Sequence, residues 1–194
     1  MFREMRRVGQ QLSDEECVEI LVNEPRGVLA LLGDDDYPYA VPMSHVYVDG
    51  KIYFHGAKSG HKIDAIRNHS KVSYCVIDKG VKAEDSWWYT FRSVIVFGKI
   101  TTLTDNQEKI DKLTHLGNKF FPTKEETEDE INRLLDRTEV FEITIEHMTG
   151  KTVKEKWHDL KIYFINVVKN RNLFYRWIPN EIFQNSLKKS INWD

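Results

Sequence analysis

A mainly β fold with helical additions, arranged as a largely antiparallel barrel, is what this sequence of 194 residues predicts. Three observations carry that prediction. About six apolar or alternating runs read as strands and come at hairpin spacing. Helical patterns are inserted among them without the regular alternation of a parallel α/β sheet. A sheet of this length left open would have exposed edges to manage, and closure removes them.

Each element has its own signal. "LSDEECVEILVNEP" opens with Ser13 as N-cap and Glu16 three residues on, a capping box. Val18, Leu21 and Val22 are expected to form its buried face, and Pro25 stops the helix. "RGVLALLG" is a short apolar strand, "GDDDYP" is turn chemistry, and "YAVPMSHVYV" resumes as one strand. Asp49-Gly50 then predicts a type I′ hairpin, because that turn needs positive φ at both central residues. "KIYFHGA" returns antiparallel. Ser59 is expected to cap the helix "GHKIDAIRNH", and "KVSYCVID" is the next strand. After the polar excursion "VKAEDSWW", "YTFRSVIVFGKITTLT" is a long strand with Gly98 as a bulge or bend. Two helices follow, parted by Pro122, with Asp105 and Thr123 as N-caps. In "TEVFEITIEHMTGK" the residues Phe141, Ile143 and Ile145 alternate with Glu142, Thr144 and Glu146, which predicts a half-buried strand.

Composition narrows the function classes. A net charge of -2 gives no electrostatic case for nucleic acid, and no apolar run reaches the length of a membrane span. "MFREMRRVGQQ" has no apolar core of a secretory signal, so a cytoplasmic location is expected. Cys17 and Cys75 make no disulfide framework and read as two buried thiols. Residues 1–156 are expected to form the functional domain. From Trp157 the texture turns to Asn, aromatics and basic residues, so 157–194 reads as an extension of unassigned role.

The stretch "HGAKSGHK" concentrates donors and small residues where a strand gives way to a helix. A helix N-terminus offers unpaired N–H groups and the positive end of a dipole. With Lys58, His61 and Lys62 added, it suits a phosphate monoester. A capped surface helix with solvated lysines explains the same eight residues, and taken alone they favour it. Hairpin register from Asp49-Gly50 sets Ser44 opposite His55 and Pro42 opposite Ala57, so a polar pair is expected beside the turn. His45 falls on the opposite face, as a structural or interfacial residue. That alternation, with no cysteine or carboxylate to complete a set, argues against a metal site. Pro42 fits either an edge strand or an interrupted strand whose N–H groups at Met43 and Ser44 meet a ligand.

"YPYAVPMSHVYVDGKIYFHGAKSGHKIDAIRNHSKVSYCV", followed by "FRSVIVFGKI" and "MTGK", resembles the nitroimidazole-resistance branch of the pyridoxamine-phosphate-oxidase-like flavoproteins. The resemblance implies an FMN-binding split β-barrel working as a homodimer, with two flavins at the subunit interface. It implies a flavin ring along "VPMS" and a phosphate at residues matching His55, Ala57, Lys58 and Lys62. The strand matching "TFRSV" would line the same cleft, often from the other subunit. The cofactor-binding set is then Val41, Pro42, Met43, Ser44, His55, Gly56, Ala57, Lys58, His61, Lys62, Ser93 and Val94. Of Arg92 and Ser93 only one can face the cleft, and Ser93 is preferred. Trp87 and Trp88 are assigned to interface packing.

No nucleophile constellation, paired acids, CxxC or G-x-G-x-x-G is present, so no catalytic residue is named. A flavin enzyme needs none, because the ring carries the electron chemistry. The resemblance therefore implies an FMN-dependent oxidoreductase acting on small molecules such as nitroimidazoles or nitroaromatics, with NAD(P)H a possible electron donor. The alternatives are a flavin- or haem-binding carrier or redox sensor, and a pyridoxamine-phosphate-oxidase-like enzyme.

Overall fold

Ser13 starts the first helix as its sequence demands. Its hydroxyl accepts from Glu16 N–H at 3.2 Å while the Glu16 carboxylate accepts from Ser13 N–H at 2.8 Å. The helix, α1, runs Asp14–Asn23. Its buried face is Cys17, Ile20 and Leu21, not the expected Val18, Leu21 and Val22. Val22 is exposed because Cys17 and Ile20 are the side chains that complete a helical stripe with Leu21. The computed structural model describes residues 2–82, 84 and 89–153. Trp87, Trp88 and the segment 157–194 lie outside the described residues.

The strands are β1 (Arg26–Leu32), β2 (Pro38–Ser44), β3 (Val46–Val48), β4 (Lys51–Ala57), β5 (Lys71–Ile77), β6 (Val81–Lys82), β7 (Tyr89–Thr102) and β8 (Thr138–Val153). Three further helices are α2 (His61–Asn68), α3 (Asn106–Phe120) and α4 (Lys124–Leu134). All pairings are antiparallel, in the order β2-β1-β5-β7-β8-β4-β3, with the short β6 on β7. The sheet curls into a half-barrel whose ends are joined through the chain itself, a split barrel. Asp49 and Gly50 have φ of 52° and 79°, the type I′ geometry, and Val48 faces Lys51 as expected.

The stretch from Tyr39 to Val48 is not one strand. It breaks at His45, so β2 pairs with β1 at one end of the sheet and β3 with β4 at the other. Two expected pairings fail with it. Ser44 faces Arg26 and Pro42 faces Val28, while His55 faces Val140. The corner is held by His45, which is fully buried: Nε2–H donates to Leu21 C=O at 2.9 Å, and Nδ1 lies 3.1 Å from Tyr74 Oη. The Tyr74 hydroxyl donates its one hydrogen to Met43 C=O at 3.0 Å, and its ring occupies the space a Cβ on Gly27 would take.

Two apolar layers result. Inside the barrel, Leu29, Leu31, Ile52, Phe54, Tyr74, Val94, Val96 and Ile143 form the main core. Outside β3, β4 and β8, α3 and α4 cover a second cluster of Tyr53, Leu103, Leu113 and Val140. That outer layer corrects the alternation expected for β8. Glu142 is buried, not solvated, and accepts from Lys51 at 2.7 Å, Tyr53 at 2.9 Å and Thr144 at 3.1 Å. Asp105 and Thr123 cap α3 and α4 as expected. A register shift falls between Phe97 and Gly98, and a side chain on Gly98 would meet the Thr144 carbonyl, so the glycine marks a bulge. Cys17 is buried and Cys75 only half-buried, because alternation puts Cys75 on the outer face of β5; both thiols are free.

Candidate functional site

The turn from β4 into α2 is built by glycine rather than by a capping hydroxyl. Ser59 was the expected cap, but Gly60 takes the N-cap position with φ of 120°, and no side chain caps it. A positive φ of that size suits glycine alone. Gly60 C=O accepts from Ile63 and Asp64 N–H at 2.8 and 3.1 Å, leaving the earlier N–H groups of α2 without an intrahelical acceptor. Ile63, Ala65 and Ile66 bury the other face of α2 in the barrel core, which fixes how its first turn sits.

Lys62 lies across Gly56: a Cβ there would come within 2.9 Å of Nζ and 3.3 Å of Cε. Its ammonium reaches Met43 Sδ at 3.6 Å, a weak acceptor, and no carboxylate pairs with it among the described residues. Burial lowers the Lys62 pKa from the ordinary lysine value. His61 turns the other way. It stacks on Tyr39 with ring centroids 4.2 Å apart, sits over Gly33, and lies 3.5 Å from the Asp34 carboxylate. Thus the first turn of α2 rides along the Tyr39–Val41–Met43 face of β2. Lys58 is exposed, and its carbonyl accepts from Arg67 at 3.4 Å.

β2 is an edge strand. His45 N–H donates to Pro25 C=O at 3.3 Å, and alternation then aims the N–H groups of Val41 and Met43 at β1 as well. The expected ligand-facing N–H of Met43 is therefore spent on the ladder. Ala40 and Ser44 direct theirs off the open edge, and Pro42 occupies the outward position where a missing donor breaks no ladder bond.

His55 lies on the opposite face of β4 from Gly56, and with Ser44 it lines a groove beneath α3 and α4. The apolar surroundings lower its pKa, the Lys62 charge adds to that, and Glu130 opposes it. Ser93 and Val94 are not brought to the turn within one copy. Ser93 pairs with Ile77 and Lys151, three strands from β2, or about 14 Å at ordinary strand spacing. Val94 is sealed in the barrel core. Arg92 is engaged elsewhere, donating to Asp78 at 2.9 Å and Glu19 at 3.3 Å. Two contributors escaped the sequence reading. Tyr39 could have been found, since alternation puts it on the face of Val41 and Met43; Tyr74 reads as an ordinary apolar strand position and carries no separate signal.

A family model described as pyridoxamine 5'-phosphate oxidase matches residues 13–152. The chain belongs to the pyridoxamine 5'-phosphate oxidase family. Among solved structures it is similar to a putative 5-nitroimidazole antibiotic resistance protein from Bacteroides thetaiotaomicron. That match has 19% identity and a TM-score of 0.61, over 73% of this chain and 86% of that one. A FAD-binding protein from Mesorhizobium loti is similar at 26% identity and a TM-score of 0.57, over 75% and 98% of the two chains. A FAD and heme binding protein from Mycobacterium smegmatis matches at 18% identity and a TM-score of 0.62, over 79% and 80%. Among curated proteins none matches. Membership in this family agrees with the half-barrel. Among the described residues no helix is long and apolar enough to cross a membrane.

Proposed function

We propose that this member of the family is a homodimeric, cytoplasmic, FMN-dependent oxidoreductase that reduces small organic molecules, with nitroimidazoles and other nitroaromatics as its substrate class. The observation that carries the flavin part is the Lys62 ammonium, half-buried beside a thioether and without a described counter-charge. An ammonium withdrawn from water is costly until an anion meets it. A monoester phosphate supplies two negative charges in one compact group, which supports FMN over a dinucleotide. The first N–H groups of α2 add donors, and Gly56, Ala57 and Gly60 keep bulk away. The residues present therefore fit the group.

Bound FMN supplies the electron chemistry of its ring. The chain's own part is to hold and orient: Lys62 and the α2 start at the phosphate, and the outward Ser44 N–H beside the ring. The second subunit supplies Ser93. A homodimer is supported by the outer sheet face, where Val28, Ile77, Ile95 and Phe97 are each 39–56% exposed on adjoining strands. Val28, Cys75 and Ile95 share one cross-strand row there, an apolar surface that a second copy would cover. The free thiols of Cys17 and Cys75 support a reducing compartment. Residues 1–156 form the flavin domain in this reading.

The deciding experiment is an FMN titration followed by flavin fluorescence. Lys62→Met is expected to weaken FMN at least tenfold, because a charge-assisted bond to phosphate contributes about 1.5–3 kcal/mol. An unchanged dissociation constant overturns the phosphate seat. Turnover is tested separately: NAD(P)H should bleach the bound flavin and a nitroimidazole should restore its colour. A flavin that binds but stays oxidised, or a haem absorption band, favours a carrier.

A further inference from the structure

α3 and α4 do not fill the layer they form on the outside of β4. A groove of about 250 Å³ remains, with Leu113, Leu116, Leu134 and Leu135 as its bed and Phe120 and Phe121, each 39% exposed, at its margin. Most polar groups in the lining are already satisfied. Thr127 Oγ1 donates to Thr123 C=O at 3.2 Å, Thr138 Oγ1 donates to Leu134 C=O at 2.8 Å, and Glu130 accepts from Arg133 Nε at 3.1 Å. Ser44 and His55, on the sheet side, are the two whose side chains have no hydrogen-bond partner among the described residues.

We propose that this groove binds a small, uncharged, single-ring aromatic molecule carrying one hydrogen-bonding group, with that group at Ser44 and His55 and the ring against the leucines. Size argues first. The space corresponds to about eight liquid waters, enough for one substituted ring. Charge argues second, since Glu130, the only carboxylate in the lining among the described residues, is paired with Arg133. Chemistry argues third: a neutral imidazole offers one donor and one acceptor, and a serine hydroxyl offers both. Such a pair fixes the head of an amide, carbonyl or nitro compound, while phenylalanine rings favour an aromatic body. The groove uses the Ser44 side chain and His55, whereas the flavin reading uses Lys62, the start of α2 and only the backbone N–H of Ser44. His55 and Gly56 point to opposite faces of β4, so benzamide in the groove and a phosphate at Lys62 are expected to bind together.

The test uses benzamide as probe and benzene as its apolar control, with binding to the full chain followed by NMR. Benzamide is expected to shift the His55 ring resonances and to survive a saturating excess of FMN. Leu134→Trp, which fills the groove, should weaken benzamide at least tenfold. Ser44→Ala, which leaves packing intact, should weaken benzamide about threefold or more and leave benzene unchanged. The proposal is overturned if benzamide does not bind, if FMN displaces it, or if both variants bind it as the wild type does. A chain that binds benzamide but not FMN refutes the phosphate seat and leaves this groove standing.

Discussion

Lowering the pH should unfold this protein through His45 before its carboxylates matter. The imidazole is fully buried at the corner between β2 and β3, and burial first, then the Lys119 charge, hold its pKa at about 4; the bond to Leu21 opposes both. In the unfolded chain it returns to about 6.5. A base whose folded pKa is depressed leaves the unfolded state holding more protons between the two values. Its contribution is therefore complete above about pH 6.5 and is lost as the pH falls toward 4. The full shift of about 2.5 units is worth roughly 3 kcal/mol, of which about 2 kcal/mol is gone by pH 5. That is a large share of a domain's stability.

Two other groups acting on the corner should not mask the effect. Lys119 donates to Glu24 C=O at 2.7 Å and has its pKa lowered from the ordinary lysine value by burial, and Tyr74 has its pKa raised by burial. The lowered carboxyls of Asp78 and Glu142 act only below the ordinary carboxylate range. His55 is shifted in the same direction but is open to the groove, so its share is smaller. Urea unfolding at pH 8, 6 and 5 gives the slope, and His45→Gln supplies the control, since its amide can still donate to Leu21. The variant should lose most of the acid dependence. A wild-type His45 ring that titrates near 6.5 by NMR, or a variant with the same slope, refutes the reasoning.

Gly56→Ala should push the Lys62 ammonium aside, because the flexible end of that side chain gives way before backbone does. FMN affinity is expected to fall about tenfold with the melting temperature within a few degrees of the parent, and loss of folding would contradict this. Gly150→Ala meets Cys17 Sγ and comes within 3.0 Å of Leu12, where α1 docks on β8. It should cost about 1–3 kcal/mol in chemical denaturation, and adding Cys17→Ala should recover most of that. Ile95→Glu places a charge in the exposed apolar row of β7 and should give a monomer by light scattering, with flavin content lost at the same time. A dimer that survives it locates the interface elsewhere.

What the sequence revealed follows a physical division between local and distant causes. The capping box at Ser13 and the type I′ hairpin at Asp49-Gly50 each depend on a few neighbouring residues, and each was legible; the bulge at Gly98 was marked by its glycine although the Thr144 carbonyl that requires it lies on β8. Ser59 misled because a serine before a helix is the usual cap, whereas the chain here reaches α2 through Gly60 at positive φ. The break at His45 was not legible. It depends on Leu21 and Tyr74, 24 and 29 residues away, which together make a buried polar corner cheaper than a continuous strand. Glu142 misled for the same reason: alternation shows that a face differs, not that a helix pair will cover it.

The candidate site divides along that line as well. Lys62, Gly56 and Gly60 come together through one turn, so the eight residues "HGAKSGHK" already carried the geometry of their seat. Only the choice between phosphate and solvent stayed open, and the ammonium's lack of a described counter-charge now weighs on it. Ser93 sits three strands away on the outer face, beside the same apolar row that the dimer proposal needs. No local pattern could have joined it to Lys62, since within one copy nothing does. If both residues serve one flavin, the cleft is completed only when a second copy covers that row, so cofactor retention and dimerisation should rise and fall together.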